Sequence, residues 1–233
     1  MKTKRTSQEI GFTIVELIVV LMVVAVLEGL MIPHIVRNNH HSGRADINCS
    51  NNLRQVGLAF HLWAGDNGGK FPTQVSITNE GALEWAEAGN VWQIFMVMSN
   101  ELSTPKLLYC LLDGNSNRIQ ATSFGLTTQP AYSGSVPFTN DNNVSYFVGM
   151  EADEVHPTRI LAGDSNLEVN QKTLAHSFLN LWTNAPVRWD KTRHEKQCGN
   201  IAFADGSVQN CTKAQLQKLL AETLIQTNRL LIP

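Results

Sequence analysis

The stretch Gly11-Phe12-Thr13-Ile14-Val15-Glu16-Leu17, with the apolar run that follows it to Pro33, decides how the rest of this chain is arranged. After Phe12, roughly twenty residues pass with hardly a polar side chain except Glu16 and Glu28. A helix of that length spans about 30 Å, which is the thickness of the hydrocarbon core of a bilayer. Residues 12–33 are therefore predicted to form a transmembrane helix.

The residues ahead of this run are basic: Lys2, Lys4 and Arg5 are opposed only by Glu9. Basic flanks stay on the cytoplasmic side, so the remainder of the chain is predicted to be exported. A secretory signal that is removed entirely has a shorter apolar core, with its cleavage site behind it. In this chain the expected cut lies between Gly11 and Phe12, ahead of the apolar run. Cleavage there removes residues 1–11 and leaves the membrane helix attached.

Glu16 is the most informative side chain of the run. A carboxylate inside a membrane span costs about 2.5–3.5 kcal/mol on insertion scales, so it usually marks a function and a partner. As the fifth residue of the processed chain, it is placed to pair with the free amino terminus of a neighbouring subunit. Glu28 lies near the far end of the span, where a side chain reaches the interface at lower cost. Glu16 is therefore the predicted assembly residue.

These residues resemble the class III signal of the type IV pilin-like and type II secretion pseudopilin family. The resemblance implies cleavage between Gly11 and Phe12 by a prepilin peptidase, N-methylation of Phe12, and assembly through the helix. It also implies an α+β pilin-like fold, in which a long N-terminal helix with a membrane-embedded first half packs on a small antiparallel-sheet head. The expected location is the inner membrane, single-pass, with a cytoplasmic N-terminus, a periplasmic head and a periplasmic or extracellular filament.

The chain beyond the span supports one globular domain. Apolar residues recur at intervals of three and four from Ala45 to Trp63, which predicts a second helical half over about Ala45–Gly65, with that face docked on the head. Asp66-Asn67-Gly68-Gly69 stops the helix, and Phe71-Pro72 is expected to start an extended segment. The predicted organisation is a leader (1–11), a long helix (12–66, with 12–33 in the membrane) and an α+β head (67–233).

Within the head, the patterns predict a helix around Val91–Leu102 and a long loop over Asp113–Asn143. Lys106–Leu112 is expected to be a short buried strand or turn. Strands are predicted over Val144–Met150 and Thr158–Gly163, and Asp205-Gly206 indicates a hairpin between Asn200–Ala204 and Ser207–Asn210. Thr212 followed by Gln215 forms a capping box ahead of a helix with Leu216, Leu219, Leu220 and Leu224.

Several pieces of the head resemble the expanded prepilin-type proteins of planctomycete and verrucomicrobial bacteria. They are Cys49–Ala59, Asp66–Pro72, Ile160–Asp164, and His194 with Asn200, Phe203 and Asp205-Gly206. That group carries a His-X9-Asp-Gly signature, whereas here ten residues separate His194 from Asp205. The resemblance covers most of the chain in pieces, and it supports a filament subunit.

Composition and motifs narrow the function. The net charge of −2, with basic and acidic residues interspersed, gives no sign of a nucleic-acid partner. The chain has no Gly-X-Ser-X-Gly, no phosphate-binding glycine loop and no Cys-X-X-Cys, so it is not expected to be an enzyme. His194 and Cys198 resemble a His-Glu-X-X-His motif with Cys at the last position, which leaves a metal site with Cys211 open. Asp164 and Asp205 are alternative calcium ligands, although turn and strand-end roles are more common for such residues.

The four cysteines, exported to an oxidising compartment, suit disulfides. Three pairings exist. Cys49 lies on the docking face of the helix and Cys110 in an apolar segment of the head, while Cys198 and Cys211 flank the Asp205-Gly206 turn nearly symmetrically. The favoured pairing is therefore Cys49–Cys110 with Cys198–Cys211.

Two classes of function follow. The first is a structural subunit of a type IV pilus or type II secretion filament, whose partners are prepilin peptidase, identical or homologous subunits and the inner membrane. The second is a membrane-anchored, exported binding module whose head recognises a polysaccharide or a secreted substrate. Processing and co-assembly favour the first class, whereas a monomeric anchored protein that binds glycan favours the second.

The cleavage site gives a direct test. We expect the mature protein to begin at Phe12, with or without an N-methyl group, and Gly11→Arg to block cleavage because a bulky charge does not fit at the cut. Gly11→Ala is the control and should still be processed. Mass spectrometry of the membrane-extracted protein decides this, and an N-terminus at Met1 or beyond Pro33 would refute the interpretation.

Overall fold

The computed structural model describes residues 14–36, 41–125, 134–170, 172–174, 177–182, 185–190, 197–222, 225 and 227–233, without the side chains of 28–36, 41–46, 173 and 177. The chain divides into two compact units, Met1–His41 and Ser42–Pro233. The predicted cleavage site at Gly11 and Phe12 lies outside the described residues, as does His194.

The first unit contains helix α1 (Ile14–Val36), which has 23 residues. The large apolar side chains of its described part, from Ile14 to Leu27, are all exposed. Among the helices as far as the structure describes them, none is long and apolar enough to qualify as a membrane span. Residues 37–40 are not described, so the predicted continuity of a helix over 12–66 stays a prediction.

The second unit combines helices with antiparallel sheets. Its α-helices are α2 (His41–Asp66), α3 (Leu83–Glu87), α4 (Val91–Val97), α5 (Ser99–Leu102) and α6 (Lys213–Glu222). Its strands are β1 (Tyr146–Gly149), β2 (Ile160–Asp164), β3 (Leu167–Val169), β4 (Lys172–Thr173), β5 (Ser177–Trp182), β6 (Val187–Trp189), β7 (Cys198–Phe203), β8 (Val208–Thr212) and β9 (Thr227–Ile232). Short 3-10 turns lie at Pro72–Gln74, Ile77–Asn79, Pro105–Leu108 and Asp141–Asn143.

The strands form two sheets. The larger has six strands in the order β5-β9-β1-β2-β7-β8, and the smaller has three in the order β4-β3-β6. Every strand pair in both is antiparallel. The predicted α+β class with an antiparallel sheet is therefore confirmed, and the sheet is larger than the small one expected.

Three strands of the six-stranded sheet, β1, β2 and β7, are buried on both faces. Val148, Ala162 and Ala202 lie opposite one another on β1, β2 and β7, and they join the core formed with α2. Their sequence neighbours Phe147 and Ile201 point to the other side and belong to a second core with β6 and α6. Every residue of β1, β2 and β7 is buried. Side chains alternate between the two faces of a strand, so burial of both faces leaves no alternation of polar and apolar residues in these three strands.

Helix α2 covers one face with the apolar stripe that the sequence predicts. Cys49, Leu53, Val56, Phe60 and Trp63 are all buried in the core shared with the sheet. Fully burying one large apolar side chain contributes about 1.5–3 kcal/mol, so this stripe is a major source of stability. The predicted docking of the second helical half is confirmed.

The glycines at the end of α2 stop the helix as predicted. Gly68 and Gly69 both have positive φ values, 67° and 74°, which residues with a side chain rarely adopt. The Gly69 N–H donates to the carbonyl of Ala64 at 2.9 Å and so satisfies one of the last helical acceptors.

The C-terminal hairpin and helix also match their predictions. β7 and β8 pair in register around a turn in which Gly206 has φ 80°. The Thr212 N–H donates to Oε1 of Gln215 at 2.8 Å, which completes the capping box ahead of α6. Of the apolar positions named for this helix, Leu216 and Leu220 are buried, and Leu224 lies outside the described residues.

Two local predictions were wrong. Phe71-Pro72 starts no extended segment, because the Phe71 N–H donates to the Gln74 side chain and a 3-10 turn follows at Pro72–Gln74. Pro105–Leu108 is also a 3-10 turn, so the strand alternative for Lys106–Leu112 fails and the turn alternative holds. The sequence also missed five strands, β3, β4, β5, β6 and β9, which are short or lack alternation.

The loop predicted for Asp113–Asn143 has little regular structure in its described part, yet it is anchored. Arg118 is buried, and its guanidinium donates to the backbone carbonyls of Asp141 and Pro233. The Asp113 carboxylate lies 3.5 Å from Nε of the same arginine. One buried cation therefore holds the start of the loop, its end and the chain terminus together.

The packing around Gly199 yields a stability prediction. A Cβ added there would lie 2.5 Å from the Trp189 ring, so Gly199→Ala must displace a buried indole and should cost about 1–3 kcal/mol. Gly65→Ala is the matched control, because no atom lies within 4 Å of its Cβ position in α2. It should raise stability by about 0.5–1 kcal/mol. Urea unfolding followed by tryptophan fluorescence measures both, and equal midpoints would contradict the packing.

Candidate functional site

Glu16 lies in the first turn of α1, surrounded in sequence by exposed apolar side chains. Ile14 is 78% exposed and Val15 is 70% exposed. Acidic side chains in the first helical turn interact favourably with the helix dipole. The location suits an assembly residue, and the amino terminus that would be its partner belongs to the undescribed residues.

The disulfide predicted between Cys49 and Cys110 is present, with Cα atoms 5.4 Å apart. It links α2 to the segment that follows the Pro105–Leu108 turn. Nearby, the Asn52 side chain donates to the carbonyl of Tyr109 at 3.4 Å, which reinforces the same junction. The bond closes a separation of 61 residues, for which chain-entropy arguments give about 4 kcal/mol.

The second predicted disulfide, Cys198–Cys211, is wrong: both residues are buried thiols. The hairpin register explains this, because Cys198 lies opposite Thr212 while Cys211 lies opposite Gly199. The two cysteines are thus one residue out of register, and they project from opposite faces of the sheet. Cys211 belongs to the core beside α6, whereas Cys198 shares the face of Asn200 and Ala202. The same geometry counts against a metal site that needs both sulfurs.

Burial controls the chemistry of Cys211. Desolvation, with a smaller contribution from nearby Cys198, raises the pKa of the Cys211 thiol from its ordinary value of 9.0 to about 11. The thiol is therefore protonated and unreactive near neutral pH. Because the folded state holds this proton more tightly, the contribution to stability is complete below about pH 9 and is lost as the pH rises toward 11.

The two calcium candidates do not come together. Asp164 lies at the end of β2, directly opposite Asn200, whereas Asp205 lies in the hairpin turn beyond the other end of β7. Strand β7 continues from Asn200 to Phe203, and those three steps alone correspond to roughly 10 Å. Asp205 accepts a bond from the Ser207 N–H at 2.8 Å, as a turn residue does. Among the described residues, no group of three or more His, Cys, Asp or Glu side chains is arranged to hold a metal ion.

Asp164 instead organises a buried polar row. Its Oδ2 accepts from the backbone N–H of Asn200 at 2.7 Å and from the Asn200 side-chain amide at 3.0 Å. The Asn210 amide then donates to Oδ1 of Asn200 at 3.2 Å, so the row crosses β2, β7 and β8. Asn200 was singled out in the sequence through its resemblance to the His-X9-Asp-Gly region, but its contact with Asp164 was not predicted.

One buried amide next to this row lacks partners. Asn166 is only 4% exposed, and neither polar atom of its side chain has a hydrogen-bond partner within the protein. Nε1 of Trp189, on strand β6, which pairs with β3 directly after Asn166, also has no hydrogen-bond partner within the protein. An unsatisfied buried group costs about 1–3 kcal/mol, so stability alone does not explain the choice of Asn at this position.

The acidic turn after β1 is an ion-pair network. The Asp153 carboxylate accepts from the His156 N–H at 2.8 Å and from Nη1 of Arg159 at 2.6 Å. Partial burial opposes ionisation of Asp153, but the His156 bonds and the Arg159 charge outweigh it and lower the pKa. Glu154 pairs with His61 of α2 at 3.2 Å, so the turn also contacts the helix.

A cleft of about 180 Å³ lies beside the hairpin turn, lined by Pro157, Thr158, Phe203, Asp205, Ser207, Gln209, Leu219 and Glu222. Ligand pockets usually hold about 300–1,000 Å³. Its two carboxylates, Asp205 and Glu222, are accompanied by no histidine or cysteine in the lining. The cleft is therefore smaller than an ordinary ligand pocket.

Comparisons of this chain with protein families, with curated proteins and with solved structures found no match.

The state of the four cysteines can be measured directly. We expect non-reducing peptide mapping to recover one bridge, Cys49–Cys110, with Cys198 and Cys211 as thiols. Iodoacetamide at pH 8 should leave Cys211 of the folded protein unlabelled and should label it after unfolding in urea, because burial keeps the thiol protonated. A Cys198–Cys211 bridge, or rapid labelling of folded Cys211, would contradict the observed register.

Proposed function

We propose that this chain is a structural subunit, a pilin or pseudopilin, of a membrane-rooted type IV pilus or type II secretion filament. In this proposal a prepilin peptidase cuts between Gly11 and Phe12, Phe12 is N-methylated, and subunits assemble through α1. The head (67–233) remains outside the inner membrane and meets the filament's surroundings.

The observation that carries the proposal is the surface of α1. Its twelve large apolar side chains between Ile14 and Leu27 are exposed on every side, and the only acidic residue among them is Glu16. A helix that is apolar all round requires an apolar environment, either lipid or other helices. A bundle of α1 helices from many subunits supplies that environment once the helix leaves the bilayer. Together with the Gly11-Phe12 pattern, this surface favours a filament core.

Glu16 then acts as the registering group. In a bundle of apolar helices the effective dielectric is low, so an unpaired carboxylate is costly and a nearby cationic amino terminus is favoured. Removal of residues 1–11 creates such an amino terminus at Phe12, four residues ahead of Glu16. Pairing between the two groups on neighbouring subunits fixes the axial offset of one helix against the next. The pair contributes specificity more than net stability.

Helix α2 is firmly attached to the head, as a filament subunit requires. The apolar stripe of α2 is buried against the six-stranded sheet, and the Cys49–Cys110 bond links the helix covalently to the head. Near the middle of the buried stripe of α2, an added Cβ on Gly57 would lie 3.4 Å from Cα of Gly206, so α2 passes close to the hairpin turn. These contacts support a helix and a head that move as one body.

Substitution of Glu16 tests the proposal. We expect Glu16→Leu to be inserted and cleaved normally but to yield few filaments, since only the pair between subunits is lost. Quantification of sheared filaments, together with the N-terminal mass of the membrane-bound pool, measures the two steps separately.

Glu28→Leu is the matched control, because it removes a carboxylate from the same apolar run without touching the proposed pair. Its filament yield should equal that of the parent chain. Equal yields for Glu16→Leu and the parent would remove the registering role. Absence of filaments from every variant, including the parent, in a host with a complete assembly system would refute the proposal itself.

A further inference from the structure

Strand β5 (Ser177–Trp182) is the outer strand of the six-stranded sheet as far as the structure describes it. Its inner side pairs with β9 along all six residues. An outer strand carries backbone N–H and C=O groups on its other side, which makes it a template for a further strand. Proteins usually protect such edges with charged residues, proline or a bulge. The sequence Ser-Phe-Leu-Asn-Leu-Trp contains no charge and no proline.

The exposed side chains of β5 are aromatic. Trp182 is 56% exposed and Phe178 is 39% exposed, while Leu179 and Leu181 point into the core on the other face. The opposite edge of the sheet, β8, differs, because its exposed residues are Gln209, Asn210 and Thr212. Of the two edge strands, only β5 presents large exposed apolar side chains, and it carries no charged side chain. This pattern is typical of an interaction surface.

The sequence of β5 is self-complementary. In an antiparallel pair of two β5 strands centred on Asn180, Phe178 of each copy lies opposite Trp182 of the other. Leu179 lies opposite Leu181, and the two Asn180 residues face each other. Aromatic–aromatic pairs across strands are stabilising, and asparagine amides can hydrogen-bond to each other. A two-fold interface requires such self-complementarity, because the same patch supplies both sides.

Charges near the edge permit this pairing. A charged residue described beside this face is Arg229, opposite Asn180 on β9, and its guanidinium and backbone N–H both bond to the carboxylate of Glu151. In the paired arrangement three strand spacings, roughly 14 Å, separate the two arginines. The contact therefore brings no like charges together, and each arginine is already neutralised.

We infer that β5 is a self-association edge, through which the heads of two copies of this chain join their sheets by antiparallel β5–β5 pairing. The contact uses about six residues from each copy, whereas stable interfaces use about 20–30 on each side. The association is therefore weak for isolated chains and depends on concentration. Membrane attachment or any array of subunits raises the local concentration and strengthens it. The inference rests on the head alone and does not depend on the filament proposal.

Disulfide trapping in the full-length, detergent-solubilised chain tests the register. In the inferred pair the two Asn180 Cα atoms lie about 4.5–5.5 Å apart, which suits a disulfide. Asn180→Cys should therefore give a covalent dimer under mild oxidation, at a yield roughly tenfold or more above background. Background is set by Lys218→Cys, an exposed position on α6 away from the edge. Phe178→Cys should also stay at background, because two copies of that position are four residues apart, roughly 13 Å.

A second substitution tests the aromatic pairing. Adding Trp182→Lys to Asn180→Cys should lower the dimer yield roughly tenfold, since it removes the aromatic ring that lies opposite Phe178 of the other copy and places a charge on the edge. Both positions are exposed, and an intact Cys49–Cys110 bridge verifies folding. Background yield for Asn180→Cys, or equal yields for Asn180→Cys and Phe178→Cys, would overturn the inference. If Asn180→Cys stayed at background while Trp182→Lys abolished binding to insoluble cellulose, the strand would be a polysaccharide surface instead.

Discussion

The burial of one helical stripe against one face of a sheet is the contact on which the rest of this protein depends. Helix α2 contributes Leu53, Val56 and Phe60 to that contact, and β1, β2 and β7 meet them with Val148, Ala162 and Ala202. A bulge in β2 near Leu161 lets both Leu161 and Ala162 join this core. The disulfide at Cys49 then fixes one end of the arrangement.

A sheet covered on one face still has a second face to bury. Here the second face packs against β6 and α6, with Trp189 lying over Gly199 of strand β7. The indole fits because that position has no side chain. Strands β1, β2 and β7 are consequently buried on both sides, and the exposed side chains of the sheet lie on β5, β8 and β9. The outer strand β5 therefore exposes Phe178 and Trp182 at the edge of the sheet.

Register has the largest chemical effect in the head. A shift of one residue between β7 and β8 separates a possible disulfide from two buried thiols, because neighbouring residues on a strand face opposite cores. The pairing of β2 with β7 likewise places Asp164 next to Asn200, whereas Asp205 lies in the turn beyond the far end of β7. Spacing along the chain could suggest that Cys198 and Cys211, or Asp164 and Asp205, act together. Only pairing between strands could say which side chains share a face.

Features that depend on local periodicity and turn chemistry were predictable from the amino-acid sequence. These include the apolar face of α2, its glycine stop, the β7–β8 hairpin and the capped helix α6. The sequence also indicated Cys49–Cys110, because each cysteine lay in an apolar segment and no register was needed. Strands β3, β4, β5, β6 and β9, the buried Asp164–Asn200 row and the state of Cys198 and Cys211 became known only from the folded structure. These features arise from contacts between residues distant in the chain. Strands β3, β4 and β6 have only two or three residues each. In β5 the outward-facing Phe178 and Trp182 are themselves apolar, so no polar alternation marks the strand.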